Sequence, residues 1–89
     1  MKIGDRVVCP IVHLNGTSKD ELIRPRQEFY AALQEAERKL AAMAPNGRDY
    51  YVQPGLLEKA QAQYDRRLEV LAGLLAEIEA EIDGIDGQG

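Results

Sequence analysis

The chain has 89 residues and a mass of 9.9 kDa, is 45% hydrophobic and 29% charged, and contains four Tyr, one Phe and no Trp. That length supports one small domain burying only about 60–65% of its unfolded surface, and no apolar run approaches the roughly 18 residues of a membrane span. The formal charge is −4, and a single Cys and a single His exclude an internal disulfide and argue against a zinc site of N and S ligands within one subunit.

The charge is unevenly spread. Residues 1–48 carry eight Lys or Arg against six Asp or Glu, whereas residues 49–89 carry three against nine. No basic stripe of the kind that grips a nucleic-acid backbone is present, so neither DNA nor RNA is an expected partner. A small anion held by one or two local bases is compatible with this balance. The opening residues include Lys2, Asp5 and Arg6 and no long apolar run, so a secretory signal is not expected. With the lone Cys9 this points to a reducing, cytoplasmic setting.

Residues 1–16 read as an extended N-terminal arm. The stretch Arg6-Val-Val-Cys-Pro-Ile-Val-His-Leu14 is β-branched and apolar, but Pro10 lacks an amide donor. The segment is therefore an edge strand or an arm, not a central strand. Asn15-Gly16 is a turn pair that ends it. Ser18 and Glu21 form a capping box at the start of a helix, with Asp20 and Glu21 where the helix dipole favours negative charge. This helix is expected over about residues 18–43, with Leu22, Phe29, Leu33, Ala36, Leu40 and Met43 as its apolar stripe and Arg26 as a polar interruption. Pro25 lies inside it, so a kink or a loosened first two turns is expected.

Ala44-Pro45-Asn46-Gly47 ends the helix with a proline and with residues suited to positive φ. The loop then spans about 44–55, long enough to carry function. A second helix is expected over about 56–83, on the stripe Leu57, Ala60, Tyr64, Leu68, Leu71, Leu75, Ile78 and Ile82. Val70 and Leu74 widen that face. Residues 84–89, with Gly84, Gly87 and Gly89, read as a flexible tail.

The expected fold is mainly α: an antiparallel helical hairpin of residues 17–83 with a short extended arm. One hairpin covers only one side of each stripe and leaves Val70, Leu74 and Tyr30 open. A core of this size seldom supplies more than about 3–5 kcal/mol. Self-association into a homo-oligomeric helical bundle is therefore expected. His13–Ser18 and Arg48–Tyr51 lie at opposite ends of one hairpin, so only antiparallel subunits bring them together.

Two constellations carry possible chemistry. His13-Leu-Asn15-Gly16-Thr17-Ser18 precedes a helix N-terminus, where free amides and hydroxyls suit an anion; a plain N-cap after a turn has the same look. Asn46-Gly-Arg48-Asp-Tyr50-Tyr51 offers a guanidinium for phosphate and flat rings for a base. Its structural alternative is an Arg48 paired to an acid and tyrosines closing the bundle end. Lys19, Arg24 and Arg26 add charge near the first constellation or simply face solvent. Arg66-Arg67 reads as a surface pair, and Glu77, Glu79, Glu81 and Asp83 as a solvated run. Tyr64 reads as packing. Cys9 reads as buried, with nothing but His13 near enough to activate it. No catalytic triad, phosphate loop or metal signature is present, so an enzyme is not expected and no cofactor or metal is called for. His13 is the sole obvious base for any enzymatic reading.

The segments His13-Leu-Asn-Gly-Thr-Ser18 and Ala44-Pro-Asn-Gly-Arg-Asp-Tyr-Tyr51 resemble those of short phage and prophage proteins of two-helix design, over about residues 12–82. Pro25 departs from the regular helix of that pattern. By analogy of architecture, the resemblance implies a non-enzymatic phage protein in the host cytoplasm. Its role would be to sequester a small nucleotide-derived signal, cyclic or ADP-ribose-like, between subunits and so counter host defence. The expected ligand-binding residues are His13, Asn15, Thr17, Ser18, Arg48, Tyr50 and Tyr51. The rival expectation is a helical adaptor that binds another protein through apolar positions such as Val70 and Leu74.

Overall fold

A computed structural model describes residues 7–88. Within them the chain forms α1 (Lys19–Ala41), a single 3-10 turn (Gly47–Asp49) and α2 (Leu56–Asp86), the two helices packed along each other. No helix is long and apolar enough to cross a membrane, and no strand forms, among the described residues. Residues 1–6 of the expected arm lie outside that range.

Helix α1 starts where the side chains provide for its first turn. Ser18 accepts the Glu21 amide at 3.2 Å, the first half of the expected capping box, whereas the Glu21 carboxylate accepts the Ser18 hydroxyl at 2.8 Å instead of a backbone amide. The helix continues unbroken through Pro25. Beside the proline, the Arg26 guanidinium folds back and donates through Nη1 to the Leu22 carbonyl at 2.7 Å. On the exposed face of the last two turns, Glu35 and Arg38 pair. That contact holds the Glu35 carboxyl below its ordinary value and the Arg38 guanidinium above its own.

The helix closes two residues earlier than expected. The amides of Ala42, Met43 and Ala44 bond to the carbonyls three residues back, a tightened last turn. Pro45 then disfavours helical backbone at Ala44.

The loop is built from two turns. Asn46 caps the 3-10 turn by accepting the Arg48 amide at 2.9 Å. Gln53-Pro54-Gly55-Leu56 then makes a turn closed by the Leu56 amide on the Gln53 carbonyl, with Gly55 at φ 83° and ψ −8°, as expected of a type II turn with Pro then Gly at its centre. The positive φ expected at Asn46-Gly47 thus falls at Gly55 instead, because the asparagine side chain closes its turn with ordinary backbone angles.

The seam between the helices differs from the expected one on α1. Buried Ile23, Leu33 and Leu40, with half-buried Arg26, Tyr30 and Glu37 between them, repeat at steps of three and four. Phe29 and Met43, expected in the seam, are 44% and 63% exposed, and Ala36 is exposed with them. The seam is rotated toward Ile23 and Tyr30, with Leu22 still half-buried at its edge, because the contacts with α2 fall on that side. Arg26 turns its charge to use by pairing with Glu81 across the helices at 2.5 Å. Tyr30, expected open, is half-buried and lines a small hollow with Glu79 and Ile82.

On α2 the stripe holds, and it extends. Leu68, Leu71, Leu75, Ile78 and Ile82 are half-buried, and Ile85, one further step of three, is completely buried. The expected flexible tail is therefore helix as far as Asp86, with Gln88 bound beyond it. The reason is the arm, which lies on the end of α2. Cys9 sits over Gly84, so close that a Cβ there would stand 2.5 Å from Sγ. The Gln88 side chain accepts the Val12 amide and donates to the Pro10 carbonyl, each at 2.8 Å. Lys19 donates to the carbonyls of Asp86 and Gln88, placing a cation at the negative end of a helix whose last turn has no base of its own.

Candidate functional site

The expected site residues fall at two ends. At the arm end the Gly16 amide donates to the His13 carbonyl at 3.1 Å, and the imidazole folds back over Gly16, where a Cβ would meet Nε2 at 2.6 Å. Only glycine permits that approach. His13, Asn15 and Thr17 are exposed. Ser18 is exposed too, but its hydroxyl is engaged by Glu21 as both donor and acceptor. The chain's own carboxylate thus takes the hydroxyl proton that an anion here would use. Lys19 and Arg26, expected either to add charge near an anion here or to face solvent, are instead engaged with the end of α2. Arg24 remains exposed.

At the loop end the 3-10 turn presents Arg48 to solvent. Among the described residues no acid pairs with its guanidinium, Asp49 included. Tyr50 is half-buried, its amide donating to the Gly47 carbonyl, whereas Tyr51 is 80% exposed. One ring is thus partly tucked in and the other stands open. Beside them, Pro45, Gly47, Leu57 and Gln61 line a cleft of about 490 Å³ rimmed by Glu58 and Asp65. Its rim is acidic, and Arg48 is the base that the 3-10 turn offers to a phosphate at this end.

The two ends are not brought together within one chain. The 23 residues of α1 separate them by about 34 Å at 1.5 Å per residue. A site using both requires a second copy.

A third surface was missed as a site by sequence reasoning. Ala36, Lys39, Leu40 and Met43 of α1 and Arg66, Arg67, Val70 and Leu71 of α2 line an open groove of about 650 Å³. Its floor is apolar and its rim carries three cations. The signal in the sequence was the recurrence of Phe29, Ala36 and Met43 at steps of seven, read as the seam when it forms the neighbouring stripe. Gln88, which fastens the arm, was hidden in a glycine-rich ending. No known protein family, curated protein or solved structure matches this chain.

Proposed function

We propose that this chain is a non-enzymatic, phage-type protein of the host cytoplasm that binds and sequesters a small nucleotide-derived signal in pockets between subunits, countering host defence. The observation that supports this reading is the loop end: an Arg48 guanidinium with no acid partner among the described residues, beside an open Tyr51 ring on a turn fixed by Asn46. Arg48 neutralises a phosphate, Tyr51 stacks on the base and Tyr50 backs it. From the neighbouring copy, His13, Asn15 and Thr17 supply hydrogen bonds to ribose or phosphate, with Ser18 as the cap that orients them.

Calorimetry with cyclic nucleotides and ADP-ribose-type nucleotides tests it on the assembled protein. Binding of at least one member is expected, weakened about tenfold or more by Arg48→Ala and by Tyr51→Ala with helicity unchanged. No heat from any of these compounds overturns the reading.

The adaptor reading keeps one observation in its favour: Val8, Ile11 and Leu14 of the arm are exposed, apart from Val70 on α2. It requires Val70, and Leu74, expected open but half-buried against the rest of the chain, to remain uncovered in the assembled protein. It also requires Arg48→Ala to leave function intact while Val70→Asp abolishes it.

A further inference from the structure

The groove between the helices continues into a face that is complementary to itself. On α2, Arg67, Val70, Leu74 and Glu77 follow one another at steps of three and four, so they share one side of the helix. Arg67 and Val70 line the groove, Val70 is 61% exposed, and Arg67 and Glu77 are exposed with no ion-pair partner among the described residues. Reversing the helix about Ala72 exchanges Arg67 with Glu77 and Val70 with Leu74. A second α2 laid antiparallel therefore meets each cation with an anion and each aliphatic with an aliphatic.

On α1 the same reversal works. Phe29, Ala36 and Met43 are spaced by seven on both sides of Ala36, and all are exposed. Reversal about Ala36 exchanges the two large apolar side chains. The two centres stand at about the same height, because Ala36 and Leu71 line the same groove. One two-fold axis across the helices serves both.

We infer that a second copy of this chain covers the groove, α1 against α1 and α2 against α2, each pair antiparallel, forming a four-helix bundle. The shape of the chain agrees with this occupant. Its extents are 63 × 27 × 14 Å, a single layer of helices, and among the described residues only Ile23, Leu33, Leu40 and Ile85 are buried. A second layer supplies the missing half of a bundle core. The interface is isologous, so the Arg67–Glu77 pair occurs twice. The same arrangement sets the arm end of one copy alongside the loop end of the other. The inference stands without any ligand.

Sedimentation equilibrium at micromolar concentration, with no nucleotide present, tests it separately from the calorimetry. A mass of about 20 kDa is expected for the wild type, twice the 9.9 kDa chain, and near the single-chain mass for Val70→Asp. Arg67→Glu and Glu77→Arg each juxtapose like charges twice and weaken association about tenfold. The double variant regains it, as does an equimolar mixture of the two single variants, where both pairs become opposite again. Circular dichroism confirms that each variant is helical. A wild-type single chain, a Val70→Asp protein that remains a dimer, or folded charge variants that behave like the wild type overturn the inference.

Discussion

Two glycines in this chain have different work to do, and the backbone angles separate them. Gly55 is at φ 83°, the one positive-φ residue among those described, and a side chain there adopts left-handed backbone at a cost of about 1–2 kcal/mol. Gly47 has ordinary angles and its nearest foreign atom, on Leu57, lies 3.9 Å from a built Cβ. Thermal unfolding should therefore show Gly55→Ala destabilised by about 1–2 kcal/mol and Gly47→Ala close to wild type. Gly84 is a third case, a helical glycine retained by contact. Alanine gains about 1 kcal/mol of helix propensity over glycine, yet its Cβ would collide with the Cys9 thiol. Gly84→Ala should stabilise the Cys9→Ala protein by up to about 1 kcal/mol and lose that gain when Cys9 is present. It should also make Cys9 react faster with a thiol reagent.

At the scale of elements, the arm and α2 hold each other. Gln88 makes two hydrogen bonds to the arm, and each contributes about 1 kcal/mol net. Gln88→Ala should strip hydrogen-exchange protection from the Val12 amide and lower stability by about 1–2 kcal/mol, leaving the centre of α1 protected as before. Most elements were legible from local chemistry: the Ser18 cap, the proline stop after Ala44, and a second stripe of leucines and isoleucines. What was not legible depended on partners remote in sequence. A stripe containing Phe29 and one containing Tyr30 are equally periodic, and only the opposing surface of α2 selects between them. The end of α2 looked frayed because glycine is a poor helix former, and the compensation comes from Cys9, Pro10 and Val12 more than 70 residues away. Ile85 was the available hint, since it continues the stripe past Ile82. Of the expected site residues, exposure at both ends agrees with the residue types, but the engagement of Ser18 and Lys19 depended on neighbours no pattern reveals.

For the whole molecule, the radius of gyration of 18.4 Å far exceeds the roughly 12 Å of a compact chain of this length. Four buried residues among those described are a thin core, so in the proposed dimer much of the stability would come from covering the open face. A self-associating chain stabilised in this way melts at a temperature that rises with protein concentration, because the folded assembly and the unfolded monomer differ in molecularity. Scanning calorimetry over a hundredfold concentration range should show a rise of several degrees in the wild type and none in Val70→Asp.

The fastening of the arm onto the last turns of α2 also makes this a nearly closed loop of polypeptide. Pro10 and Val12 lie beside Gln88, and the far bend at Tyr51–Val52 is open to solvent. A nick at that bend leaves both the helical seam and the Gln88 fastening in place, so the two halves are expected to stay associated after the backbone is cut there.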